Sequence, residues 1–217
     1  MAFALVLAGG DQPNRELLDC AQDAEVVIAA DSGVKVARAH GLSIHFVVGD
    51  LDSVSDGDLA WAKAEGAEIV RVPKDKDFTD LELALDRACD AAVDRIIVMG
   101  VEGGRIDHEL GNWAVLCAPR AQLVEIATSG GTVLVLHGDL VNTVEVTGTA
   151  GDVVSILAKN GEATGVTTTG LRWPLDEATM LPTSSLGVSN ELTGEAATIS
   201  VGSGTVLVAR PNVAPSP

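Results

Sequence analysis

Five apolar runs in the N-terminal half, residues 3–8, 25–30, 44–48, 68–72 and 95–99, each give way to a polar cluster rich in glycine or aspartate. Helical patterns lie between them near 15–23, 33–39, 56–65, 80–92 and 108–117, with Gly41 and Gly66 placed to end two of these helices. The runs are near-continuous Val, Ile and Leu rather than alternating. That pattern fits a parallel sheet buried on both faces by helices. A further run at 122–127 would make a sixth strand. In such sheets ligands bind beyond the carboxyl ends of the strands, so all five polar clusters are expected along one edge.

The texture changes near Thr128. Val, Thr, Gly and Ser then dominate, and short alternating runs at 132–136, 143–147, 153–157, 164–169, 197–201 and 205–209 are separated by turn signals such as Asn160-Gly161 and Gly202-Ser203-Gly204. This half predicts a small antiparallel sheet or sandwich. The expected fold class is therefore α/β: a Rossmann-like three-layer domain with a parallel sheet over residues 1–128, and a smaller all-β sandwich domain over 129–217. Hydrophobic residues make up 47% against 21% charged, which supplies a core and argues against disorder.

Charge narrows the partners. Fourteen Lys and Arg against 31 Asp and Glu give a net charge of −17. Such a surface repels phosphate backbones, so no nucleic-acid partner is expected, and a polyphosphate ligand needs local help from a metal ion, a few cations or backbone N–H groups. No apolar run approaches the ~18–20 residues a membrane helix needs, and the opening apolar segment reads as a first strand rather than a signal peptide. Cys20, Cys89 and Cys117 are odd in number and far apart, as expected of buried thiols in a reducing, cytoplasmic setting.

Three clusters carry the chemistry. In Gly49-Asp50-Leu51-Asp52-Ser53, two carboxylates one residue apart can face the same side of an extended loop and hold a hard cation such as Mg²⁺. An acidic loop in which Asp52 or Ser53 caps the next helix fits as well. In Lys76-Asp77-Phe78-Thr79-Asp80-Leu81-Glu82, Thr79 and Glu82 form a capping box ahead of the apolar face Leu81, Ala84, Leu85 and Ala88, while Lys76, Asp77 and Asp80 are free to face a ligand. In Gly100-Val101-Glu102-Gly103-Gly104-Arg105-Ile106-Asp107-His108, glycines let a backbone approach phosphates, Arg105 adds a planar cationic fork, and Asp107 can hold a metal, orient Arg105 or cap the helix. The Walker pattern is absent, because no Gly-Lys-Ser/Thr follows.

These three motifs, with Asp31-Ser32-Gly33 and Asn112, resemble the thiamine pyrophosphokinase signature in order and rough spacing. Thr169-Gly170-Leu171-Arg172-Trp173-Pro174-Leu175 and Gly187-Val188-Ser189-Asn190-Glu191 resemble the same family's C-terminal, thiamine-side motifs, so the resemblance spans nearly the whole chain. It implies an α/β catalytic domain, a β-sandwich-like second domain, and a homodimer with sites at its interface. The implied reaction transfers a pyrophosphoryl group from ATP to the hydroxyethyl oxygen of thiamine, releasing AMP. By motif, Asp50, Asp52 and Asp80 would bind Mg²⁺. Asp31, Lys76, Thr79, Arg105 and the Gly103-Gly104 backbone would handle ATP, and Asp107 would support Arg105 or the metal. Trp173 would pack on thiamine with Ser189 and Asn190 hydrogen-bonding nearby. Glu102 departs from the pattern by placing a negative side chain in the phosphate loop, and position 76 is Lys where some relatives carry Gln. A pyrophosphokinase for another alcohol, such as a hydroxymethylpterin, and a non-catalytic nucleotide- or thiamine-binding regulator are the competing readings.

Overall fold

The computed structural model describes residues 2–11 and 20–215, and the chain is a mixed α/β protein that divides into two compact units. One comprises the residues up to Leu116 with Glu125–Ser129 and the C-terminal residues from Ala214. The other comprises Cys117–Val124 and Gly130–Val213.

In the first unit, β1 (Phe3–Leu7), β2 (Val26–Ala30), β3 (Phe46–Gly49), β4 (Glu68–Arg71) and β5 (Arg95–Met99) pair in the order β4-β3-β2-β1-β5. Every pairing in this set is parallel. Phe3 to Leu7 are all buried, as expected of a strand covered on both sides. Strand β6 (Leu123–Thr128) contributes Glu125, whose carboxylate pairs with Arg95 at 3.1 Å, both side chains almost wholly buried. The helices are α1 (Val34–His40), α2 (Asp56–Ala64), α3 (Asp80–Cys89) and α4 (Ile106–Leu116). The predicted helix at 15–23 falls largely outside the described residues; its last part, Cys20–Asp23, is a 3-10 turn.

Local rules set the helix boundaries. Thr79 Oγ1 accepts a hydrogen bond from Glu82 N at 3.2 Å, opening α3, and Leu81, Ala84, Leu85 and Ala88 are its buried face. Helix α2 is capped by Ser55, which accepts from Asp58 N, and not by Asp52 or Ser53. Gly41 ends α1 in the left-handed conformation (φ 64°), which lets Leu42 N reach Ala37 O at 3.0 Å. Among the described residues, no helix is long and apolar enough to cross a membrane.

The second unit is built on β7 (Gly131–His137), β8 (Thr143–Thr147), β9 (Val153–Thr169), β10 (Ala178–Met180), β11 (Asn190–Glu191), β12 (Ala196–Ser200) and β13 (Ser203–Pro211). The order is β7-β13-β9-β12-β8, with β10 and β11 also on β9, and the pairings are antiparallel. Two expected strands, 153–157 and 164–169, are one 17-residue strand. Asn160-Gly161 is therefore no hairpin turn. Both residues have positive φ, and the register against β13 slips between the Thr205–Lys159 and Ser203–Thr164 pairs, so they form an irregularity that lets one strand serve several partners. The core of this unit is a separate cluster around Leu136, Ile156, Val166, Ile199, Val206 and Val208.

Candidate active site

Beyond the carboxyl ends of β1, β2 and β5, and beside the start of α3, lies a cleft of about 400 Å³. It is lined by the Gly9-Gly10 and Asp31-Ser32 loops, by Lys76, Thr79 and Asp80, by Gly103, Gly104 and Arg105, and by His108 and Asn112.

The β1 and β5 loops are strapped together by backbone bonds. Gly10 N donates to Gly100 O at 2.8 Å, and Asp11 N to Glu102 O at 2.7 Å. A methyl group at position 10 would collide with both of those carbonyl oxygens, so only glycine permits the approach. Asn112 Nδ2 donates to Val101 O at 3.0 Å, and Gly103 N donates to Glu109 Oε2 at 3.3 Å, tying the same loop to α4. Glu102 does not face the cleft chemistry in the way its position in the motif threatened. Its carboxylate accepts from Ser129 N at 2.7 Å and from Ser129 Oγ at 3.1 Å, so its charge is turned to the end of β6.

Three carboxylates converge. Asp31, Asp50 and Asp80 each place an oxygen within 4.8 Å of the other two, and all three are half-buried. Asp31 and Asp50 follow adjacent parallel strands, paired through Ala30 and Val48, and Asp80 is the first residue of α3. Ser53 Oγ donates to Asp31 Oδ2, while Asp31 Oδ1 is buried without a hydrogen-bond partner. Burial, followed by the charges of Asp80 and Asp50, holds the Asp31 carboxyl above its ordinary pKa, against the opposing pull of the Ser53 bond. An all-oxygen set with an orphaned buried acceptor and mutual repulsion fits a hard divalent cation. Lys76 supplies one positive charge here: Nζ lies 3.0 Å from Asp80 Oδ1 and 3.9 Å from Asp50 Oδ2.

Asp52 is not part of this group, which corrects the expectation that Asp50 and Asp52 share one side of an extended loop. Leu51 between them is buried and left-handed (φ 65°), and Asp52 N folds back to donate to Asp50 Oδ1 at 3.0 Å. The loop is a tight turn there and not an extended segment. Asp52 pairs instead with Lys74 in an exposed contact, whose bond and charge hold its carboxyl below the usual range. Asp31, expected on the ATP side, takes the third corner. The signal that could have found it was strand adjacency: β2 and β3 are neighbours, so the residues after them meet.

Arg105, just before α4, and Asp107, in its first turn, face each other in an exposed contact, Nε 3.0 Å from Oδ1, with Nη2 on Oδ2. Arg105's bidentate hydrogen bonding and charge hold the Asp107 carboxyl at about 2. Asp107 lies inside the helix, which begins at Ile106, and is not its cap.

In the second unit, Asn190 is buried, and its side-chain amide is committed to the backbone around Trp173. Trp173 N donates to Asn190 Oδ1 at 3.1 Å and Asn190 Nδ2 donates to Trp173 O at 2.7 Å, while Glu191 N also donates to Oδ1 at 2.9 Å. Trp173 itself is 52% exposed, with the Arg172 guanidinium 4.7 Å from its ring centre and paired to Glu191 at 2.9 Å. Ser189 is exposed and left-handed (φ 59°), its N–H donating to Ser155 Oγ. The motif reading missed this clamp, because β11 is only two residues long and carries no periodic signal.

The family model for the thiamin pyrophosphokinase catalytic domain matches residues 17–128, and that for the thiamin pyrophosphokinase vitamin B1 binding domain matches residues 142–206. The chain belongs to the thiamin pyrophosphokinase family. It is 26% identical to the thiamine pyrophosphokinase of Bacillus subtilis over 192 residues, covering 84% of this chain and 86% of that protein. The crystal structure of the thiamine pyrophosphokinase from Bacillus subtilis superposes with a TM-score of 0.80 over 97% of this chain and 99% of that one, at 26% identity. The thiamin pyrophosphokinase structure from Geobacillus thermodenitrificans gives 0.76 at 28% identity, over 98% of each chain.

Proposed function

We propose that this chain transfers a pyrophosphoryl group from ATP to the hydroxyethyl oxygen of thiamine, yielding thiamine diphosphate and AMP. The observation that carries the reading is the convergence of Asp31, Asp50 and Asp80 beside a cleft that Asp31 and Asp80 line together with Lys76, Arg105 and the Gly103-Gly104 backbone, in a chain of this family. In the reaction the thiamine hydroxyl oxygen bonds to the β-phosphorus and gives up its proton to the surroundings, the bond from that phosphorus to the α–β bridging oxygen breaks, and AMP leaves with the electron pair. Little covalent help is needed from the protein; positioning and charge neutralisation dominate.

Mg²⁺ would be held by Asp50 and Asp80 with Asp31, and when bound would supply charge neutralisation on the polyphosphate. Gly104 offers its backbone N–H to phosphate oxygens, Gly103, whose own N–H is held by Glu109, keeps the loop backbone beside them, and Thr79 lines the same wall. Lys76 and Arg105 meet the charge that develops on the transferred group, and Asp107 presents the Arg105 fork in one orientation. Trp173 packs on thiamine with Ser189 beside it, and Asn190 acts through Trp173 by fixing its backbone.

The finer architecture follows the same proposal: a Rossmann-like three-layer catalytic domain over 1–128 and an all-β, sandwich-like thiamine-side domain over 129–217. The working form is a cytoplasmic homodimer. Exposed Phe78, Ile106 and Leu110 supply apolar surface that a second copy would cover.

The deciding experiment is AMP release from ATP and Mg²⁺ with thiamine present, absent, or replaced by a hydroxymethylpterin. Thiamine-dependent AMP, one for one with thiamine diphosphate, is the expected result. AMP with the pterin alone would move the acceptor, and nucleotide binding without AMP under any condition would make the chain a regulator.

A further inference from the structure

Both cations that line the cleft rest on carboxylates of the protein itself: Lys76 on Asp80 and Asp50, Arg105 on Asp107. A neighbouring lysine does the same, Lys74 on Asp52. Lys74 and Lys76 thus occupy, two residues apart on one loop, the carboxylates of the Asp50–Asp52 turn and the start of α3. We propose that the Lys74 and Lys76 side chains are tethered counter-ions, which offset part of the charge of these carboxylates until a divalent cation arrives, and that Lys76 is then released to the polyphosphate. This rests on the reading of the carboxylate cluster as the metal site.

Three carboxylates within 4.8 Å repel one another, and in a chain of net charge −17 the surroundings give little relief. An ammonium on a flexible stem is the cation nearest to hand. Lys76 is only 15% exposed, so its contact is partly shielded from solvent and salt; Lys74, at 76%, is screened and yields readily. A divalent cation brings twice the charge to the same oxygens. The Lys76 ammonium and such a cation compete for Asp50 and Asp80, so the arrival of one loosens the other. Lys76 lines the phosphate-facing cleft, so the released ammonium has a second anionic partner within its tether. Metal and nucleotide then favour each other's binding through this residue, and the coupling is reciprocal by linkage.

Two measurements on the full chain test this. In the first, the unaltered protein is treated briefly with acetic anhydride, with and without Mg²⁺ and without nucleotide, and acetylation is followed by peptide mass spectrometry, with exposed Lys63 as internal reference. Lys76 acetylation should rise several-fold with Mg²⁺ relative to Lys63. In the second, Mn²⁺ affinity is titrated without nucleotide. Lys76→Met should bind about tenfold more tightly than the parent, and Lys76→Arg, which keeps a competing charge, should stay near it. If Lys76→Met does not fold, the labelling of the unaltered protein decides alone.

Lys76 acetylation that ignores Mg²⁺, in a protein that forms thiamine-dependent AMP, overturns the counter-ion and leaves the proposed reaction standing. Mn²⁺ affinity unchanged or weakened in folded Lys76→Met overturns it as well. A parent protein that neither binds Mn²⁺ nor forms AMP overturns both readings, and the AMP assay tells the two failures apart.

Discussion

Asp31 in the first unit keeps a buried oxygen without a hydrogen-bond partner beside two like charges, whereas Asn190 in the second unit commits both ends of its amide to the backbone at Trp173. A buried polar group left unsatisfied costs about 1–3 kcal/mol, so a fold retains one where a ligand completes it. A satisfied one sets geometry. The first region is assembled to receive charge, and the second to hold an aromatic surface still.

The sharpest way to break this contrast is to remove charge from the cluster. Asp50→Asn or Asp80→Asn should lower thiamine-dependent AMP formation about a hundredfold or more while the thermal midpoint holds or rises, since repulsion is relieved. Asp52→Asn, whose carboxylate is half exposed on Lys74, should cost less than either. Near-normal turnover at saturating Mg²⁺ in folded Asp50→Asn would take that residue out of the site. Next in size, Trp173→Ala should raise the KM for thiamine about tenfold, equivalent to about 1.4 kcal/mol, with a smaller change in kcat. A fall confined to kcat would contradict a stacking role.

Asn190→Ala sharpens the comparison from the other side. It leaves Trp173 N–H without its partner, so unfolding stability should drop by about 1–3 kcal/mol and the KM for thiamine should rise with it. Chemical denaturation followed by tryptophan fluorescence would read the first quantity. Loss of activity with no loss of stability would assign Asn190 a direct contact instead.

The smallest expected effect is a difference in pH response. Burial holds the Asp31 carboxyl above its ordinary 3.8, so as pH falls through its folded value the folded state takes up a proton before the unfolded chain does. The repulsion in the cleft is then relieved and the first unit gains stability. His137 has the opposite sign. It is buried with Nδ1 3.1 Å from Thr205 Oγ1, and burial holds its pKa below 6.5. Its neutral form is stable above the ordinary value. As pH drops below about 6.5, the unfolded chain binds a proton that the folded one refuses, and the second unit loses stability. Hydrogen exchange resolved by peptide from pH 7 down to about 4, without metal and corrected for the intrinsic pH dependence of exchange, should show rising protection near Asp31 and falling protection around β7. Asp31→Asn should abolish the first trend and His137→Gln the second.

Much of this was legible residue by residue. The β1 to β5 runs, the Gly41 stop, the Thr79 cap with its Leu81, Ala84, Leu85 and Ala88 face, and the polar loops of the cleft all follow from local rules acting within a few residues. Three features did not. The 17-residue β9 looks like two strands because Asn160-Gly161 is a turn signal, and only the partners on β9 decide that it becomes an irregularity. Asp52 looks like a neighbour of Asp50 until Leu51, drawn into the core, turns the backbone left-handed between them. The Asn190 clamp needs β11 laid on β9 before it exists. Periodicity, caps and charge are short-range properties that the amino-acid order carries outright. Which carboxylates meet, and which amide steadies Trp173, depends on strand adjacency and on buried side chains pulling loops out of extension, and those forces act only once the chain has packed.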